Sequence, residues 1–177
     1  MKKLLNKSGY TLIEIIISMS IFSVALVMIT GFYINFTKFH NNIETNSIQN
    51  THIINALNYI KYSIDETTYL QIVSKEEVEK NKNKGSDYGY IMLDNGNIVS
   101  GRLNNSENSI ILSENDLKSK INIKFKKNNQ SPSDLIIELL VPEASNQLVS
   151  YINMQNMQYN NIQIQGDEGV AIIYKKE

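Results

Sequence analysis

From Ile15 to Thr37 the chain runs for twenty-three residues without a charge. At a helical rise of about 1.5 Å per residue they cover roughly 35 Å, slightly more than the hydrocarbon core of a bilayer. Beyond this run Ile53, Leu57, Ile60 and Ile64 recur at the spacing of one helix face. No proline or glycine falls between Gly31 and Gly85. The pattern therefore predicts one long helix, with a membrane half over 10–37 and an amphipathic continuation over 38–74. The face from Ile43 to Ile64 is expected to pack on a folded head. Gly31 is the weak point of the membrane half: a helix glycine costs about 1 kcal/mol relative to alanine, and it marks either a bend or a close helix contact.

Lys75 to Gly85 alternates Lys and Glu and reads as a solvated helix end and loop, after which the period changes to that of strands. Tyr88–Leu93, Asp94-Asn95-Gly96-Asn97 and Ile98–Leu103 form a strand, Asn-Gly, strand signal for a hairpin. Ser109–Leu112 is a short third strand. Ile121, Ile123 and Phe125 alternate with polar residues and should point inward. Leu135–Val141 is apolar enough for the centre of a sheet, with Pro142 ending it. Leu148–Asn161 fits strand or helix equally, and Val170–Tyr174 reads as a last strand. The fold class is α+β: a long N-terminal helix packed on a mostly antiparallel β-sheet head over 75–177.

Composition narrows the function. The chain has 177 residues, about one domain's worth, and no cysteine, so an exported head must hold by packing alone. Heavy use of Ile, Asn and Lys beside a single arginine, Arg102, fits an AT-rich Gram-positive genome. Net charge is −1, which disfavours a wholly basic nucleic-acid binder. One basic cluster stands out, Lys118, Lys120, Lys124, Lys126 and Lys127 around Phe125, read as a solvated strand face with phosphate contact as the sharper alternative. His40 and His52 have no partner at ligand spacing. Asp65-Glu66 and Glu76-Glu77 read as solvated helix faces. Asp94-Asn95-Gly96-Asn97 and Asp167-Glu168-Gly169 are too short for an EF-hand loop and read as turns. No nucleophile triad, phosphate-binding glycine loop or cofactor motif is present, so no enzyme is expected.

The entry to the apolar run carries the sharpest signal. Lys7-Ser8-Gly9-Tyr10-Thr11-Leu12-Ile13-Glu14 puts a carboxylate at the mouth of a membrane-length helix, behind a leader bearing Lys2, Lys3 and Lys7. An acidic residue costs about 2.5–3.5 kcal/mol at the bilayer centre and less near the interface. A secretory signal would have a shorter core and a small-x-small site after it. By the positive-inside rule the leader stays cytoplasmic and the head is exported.

These residues resemble the processing site of type IV pilin and pseudopilin precursors. The resemblance implies a 1–9 leader cut by a prepilin peptidase between Gly9 and Tyr10, and N-methylation of Tyr10, where the family usually has phenylalanine. It implies that Glu14 pairs with the freed amine of a neighbouring subunit, and that Gly31 stands where the family often bends its helix. The partners implied are other pilin subunits and an inner-membrane assembly platform. Ser18-Met19-Ser20-Ile21-Phe22-Ser23 resembles the equivalent stretch of minor subunits placed at filament initiation or the tip. Removing the leader lysines leaves 14 basic against 18 acidic side chains, near −4. The expected role is a minor pilin or pseudopilin. The alternatives are a single-pass anchored binding protein that does not polymerise, and a competence pseudopilin that touches DNA.

Overall fold

The structure, a computed structural model, describes residues 10–82, 87–105, 107–141 and 146–176. Two compact units divide the chain, Met1–Thr45 and Asn46–Glu177. Helix α1 (Leu12–Ile64) contributes to both. In the first unit its apolar side chains are exposed, Val27 and Phe32 each at 73 %. The helix is uninterrupted through Gly31, where an added Cβ would meet nothing within 4 Å. This is the helix long and apolar enough to cross a membrane, and none of its most apolar window is buried by the rest of the chain.

In the second unit α1 turns amphipathic, but later than its sequence suggests. Ile43, in the first unit, and Ile48, in the second, are half exposed, whereas Ile53, Ala56, Ile60 and Ile64 are buried, with Leu57 packed beside them. The helix also stops at Ile64, not at residue 74. Asp65 still donates its N–H to the Lys61 carbonyl at 2.8 Å, but Glu66 swings to φ 64° and breaks the ladder. Thr67–Val73 is strand β1. Its β-branched and aromatic residues, Thr67, Thr68, Tyr69, Ile72 and Val73, suit a pleated surface better than a helix.

The solvated stretch after it opens on a separate helix, α2 (Lys75–Asn81). Ser74 and Glu77 form a capping box at its start and Val78 is fully buried. Gly85 lies outside the described residues. Strands β2 (Gly89–Asp94) and β3 (Asn97–Arg102) form the expected hairpin. Asn95 at φ 47° and Gly96 at φ 77° give the two left-handed positions that its two-residue turn needs. Next come β4 (Asn108–Leu112), a short helix α3 (Glu114–Leu117), β5 (Asn122–Lys127) and β6 (Asp134–Val141). Pro142, the expected stop after β6, lies outside the described residues. The ambiguous tail is both things in turn, β7 (Asn146–Asn153) and then helix α4 (Gln155–Tyr159). The chain ends with β8 (Glu168–Gly169) and β9 (Ala171–Lys176).

These strands make two antiparallel sheets where the sequence suggested one. Their orders are β1-β9-β2-β3-β4 and β7-β6-β5-β8. The last strand inserts between the first two of its sheet, and the chain changes sheet across the single residue Val170, whose carbonyl accepts from Leu93 N–H at 3.3 Å. Strand periodicity is blind to such long-range pairing. As expected, β6 is central and Phe125 is fully buried.

One buried cluster joins α1 to both sheets: Ile53, Ile60 and Ile64 with Leu70, Ile91 and Ile172 of one sheet and Phe125, Ile137 and Leu139 of the other. The opposite face of the five-stranded sheet holds a second cluster, in which Val78 of α2 covers Tyr90, Met92, Val99 and Ile173. Gln49 adds a polar tether, donating from Nε2 to the Leu117 carbonyl at 2.6 Å.

Because one core serves both sheets, residues 46–177 should melt in a single cooperative transition. Ile60→Ala should cost about 2–5 kcal/mol, while Ile48→Ala, half exposed about three turns upstream along the same helix, should stay within about 0.5 kcal/mol. Chemical denaturation of the two variants checks this, and equal effects would refute the stripe as the anchor.

Candidate functional site

An α-helix leaves its first four N–H groups without partners, which is costly beside an apolar environment. Here Thr11 and Glu14 resolve part of that problem between themselves. The Thr11 N–H donates to Glu14 Oε2 at 2.8 Å, and the Thr11 hydroxyl donates to the same oxygen at 3.0 Å. The Glu14 N–H in turn donates to Thr11 Oγ1 at 3.4 Å. This is a reciprocal capping box, Thr at the N-cap and Glu three residues on. Glu14 is therefore a structural residue within its own chain as well as a charge.

Thr11 is the functional residue that the family resemblance passes over. Its signal is in the sequence all the same, as the Thr-x-x-Glu spacing before an apolar run. The partnership uses Oε2 only. Among the described residues nothing donates to Oε1, so the carboxylate retains acceptor capacity on that side. Tyr10 is 84 % exposed and takes no part in the cap. Gly9, Lys2, Lys3 and Lys7 lie outside the described residues.

The hydroxyls of the following turns are also satisfied within the helix. Ser18 donates to the Glu14 carbonyl at 2.7 Å, Ser20 to Ile16 at 2.9 Å and Ser23 to Met19 at 2.7 Å. Thr30 and Thr37 do the same to Leu26 and Tyr33, at 2.8 and 2.9 Å. Each bond returns to the carbonyl four residues earlier, so these polar side chains need no outside partner in an apolar medium. Ser18 to Ser23 can face lipid or another apolar helix without an unmet hydroxyl.

The other candidate groups are occupied structurally. Lys124 pairs with Glu168 at 2.9 Å, Lys126 with Glu138 at 2.9 Å, and Lys127 with Asp167 at 2.7 Å. Lys124 and Lys127 hold the Glu168 and Asp167 carboxyls below their ordinary range, and the Glu138 hydrogen bond pushes the Lys126 ammonium up. The three lysines of the cluster that lie on β5 thus have their charge matched, Lys118 and Lys120 precede that strand, and Phe125, fully buried, offers no stacking face. Asp94 pairs with Lys75 at 2.5 Å, and Asn97 Oδ1 accepts from Glu114 N–H at 3.3 Å, so that turn's oxygens are already engaged. Glu77 serves the α2 cap. His40 and His52 are both exposed, and His40 stacks on Phe36 with ring centroids 6.4 Å apart.

Comparison with known proteins bears on the same segment. Residues 4–30 match the family described as the prokaryotic N-terminal methylation motif, a stretch that includes Gly9, Tyr10, Thr11 and Glu14. Among solved structures the PilB minor pilin from Streptococcus sanguinis is similar, at 19% sequence identity and a TM-score of 0.46. The likeness covers 74% of this chain and 34% of that chain, so this chain spans about a third of its length. No curated protein matches this chain. The matched motif thus spans the Thr11–Glu14 cap and α1 as far as Thr30.

Thr11→Ala should remove the cap and destabilise the first turn by about 1 kcal/mol. Amide hydrogen exchange of the full chain in micelles should then show Glu14 N–H exchanging about fivefold faster, with the Ile53–Ile64 amides unchanged. An unchanged Glu14 amide would refute the capping role.

Proposed function

We propose that this chain is a minor pilin, a subunit of a type IV pilus-like filament that joins its neighbours through the first half of α1. The observation that carries the reading is the pairing of the methylation motif with an apolar helix that the chain itself leaves unburied. An apolar surface of that extent is stable only in lipid or against other helices. A single-span anchor explains the lipid, but it gives no role to a carboxylate at the helix mouth or to the glycine before it.

In this reading a prepilin peptidase cuts between Gly9 and Tyr10, and the positive leader keeps that bond at the cytoplasmic face. Tyr10 becomes the N-terminus, is N-methylated, and keeps an amine that is largely protonated near neutral pH. Glu14 then accepts that amine from an adjacent subunit on its free oxygen while Thr11 holds the other. Each charge neutralises the other in a site where neither is tolerated alone. Gly31, with open space around it, gives a bend or a close approach to a neighbouring helix. An inner-membrane platform would extract the subunit and leave its two-sheet head outside.

Processing is tested by Gly9→Val in the native host. A peptidase that needs a small residue there should leave the variant uncut, and mass spectrometry of the membrane fraction should find the intact precursor. Wild-type protein that still begins at Met1 would overturn the proposal.

Assembly is tested by separating charge from cap. Glu14→Gln keeps a capping acceptor and loses the charge, whereas Thr11→Ala keeps the charge and loses the cap. Removing one half of a buried ion pair costs about 3 kcal/mol or more, roughly a hundredfold in association. Glu14→Gln and Glu14→Ala should therefore drop out of sheared filaments at equal membrane abundance, while Thr11→Ala is retained in larger part. Equal incorporation of all variants would favour the anchored binding protein instead.

A further inference from the structure

A cleft of about 440 Å³ opens in the sheet unit beside the last turns of α1. Tyr59, Tyr62 and Tyr174 wall it, and Arg102, Lys176 and Asp87 bring charge to it. Its size falls within the range of small-molecule sites, about 300–1,000 Å³. None of these residues has a part in the proposed assembly site, so the two stand or fall separately.

Specific contacts fix the side chains at the cleft. Gly89 faces Tyr174 across the β2–β9 ladder, and a Cβ on Gly89 would lie 2.5 Å from the tyrosine ring. Only glycine lets that ring pass over the strand. Lys176 donates from Nζ to the Tyr62 carbonyl at 3.1 Å and stands 5.2 Å from the centre of the Tyr62 ring. The Tyr59 and Ser100 hydroxyls are 3.3 Å apart. Burial raises the Tyr174 phenol above its ordinary value, and Ser63 and Arg102 oppose that rise. Tyr174 is thus a neutral hydroxyl within the influence of the Arg102 charge.

Arg102 is the chain's single arginine. Among the described residues it forms no ion pair, although Lys75, Lys82, Lys124, Lys126 and Lys127 all do. A guanidinium presents a planar fork matched to a carboxylate. Two cations against one carboxylate leave the cleft with one excess positive charge, suited to a monoanion. The remaining lining is hydroxyl-rich, with three phenols and Ser63. Tyrosine suits a partner that is wet at one edge and apolar on its face.

We infer that this cleft binds a sugar acid. Its carboxylate engages Arg102 and Lys176, its hydroxyls meet the tyrosine and serine hydroxyls, and a face of its ring rests on Tyr62, which is 76 % exposed. The test is saturation-transfer NMR on the full chain in micelles, with sodium glucuronate, sodium N-acetylneuraminate, glucose and threonine as separate probes. Transfer to at least one sugar acid and none to glucose or threonine is the expected result. Arg102→Gln should weaken that binding about tenfold or more, the effect of losing one charge-assisted forked contact. Tyr62→Ala, a change at an exposed ring, should also weaken it, and Lys120→Gln outside the cleft should leave it unchanged. No transfer to either sugar acid, equal transfer to glucose, preference for threonine, or undiminished binding by Arg102→Gln with an unaltered circular dichroism spectrum would each overturn the inference.

Discussion

The second unit depends on a narrow apolar stripe, Ile53, Ala56, Ile60 and Ile64, buried in a cluster that takes side chains from both sheets. With no cysteine in the chain, no covalent staple shares that task. Each sheet has an apolar inner face that needs a surface to bury it. The stripe gives both sheets the same surface. Ala56 keeps the helix close to its neighbours, and the three isoleucines fill the space on either side. The five-stranded sheet needs a second cover because β2 is buried on both faces, and the short α2 provides it through Val78.

The first unit obeys a different constraint. Its helix has no core to enter, so each polar group must find a partner nearby in sequence. Ser18, Ser20, Ser23, Thr30 and Thr37 each bond back to a carbonyl one turn earlier. Thr11 and Glu14 apply the same economy at the helix mouth. A glutamate that would be expensive as a bare charge caps the helix and keeps one oxygen for another donor. The capping box and the proposed intersubunit pair are compatible because they use different oxygens of one carboxylate.

Electrostatics in the head separates framework from opportunity. Along β5 the lysines are matched one by one with acids from β6, β8 and the turn before β8, so what looks in sequence like a basic patch is a set of cross-strand ties. These exposed pairs add little stability individually. Their effect is on surface character, since they leave no positive stripe along β5 to attract a phosphate backbone. Arg102 and Lys176 bring positive charge beside the end of α1, in a cleft that they share with three tyrosines.

Local physics made much of this molecule legible from sequence. The uncharged run, the motif from Lys7 to Glu14, the Asn-Gly hairpin, the inward Phe125 and the apolar β6 are all encoded within a few residues of one another. Hydropathy, capping and turn geometry are short-range effects. The Thr11–Glu14 cap is equally local, written as Thr-x-x-Glu before an apolar run. The end of α1 was not readable in the same way, because Glu66 stops the helix in a left-handed conformation without a glycine or proline to announce it. The division into two sheets, the insertion of β9 between β1 and β2, and the meeting of Tyr59, Gly89, Arg102 and Tyr174 were decided by tertiary structure alone. Those contacts join residues far apart in the chain, and a period-two pattern says which face of a strand is buried but not which strand lies beside it.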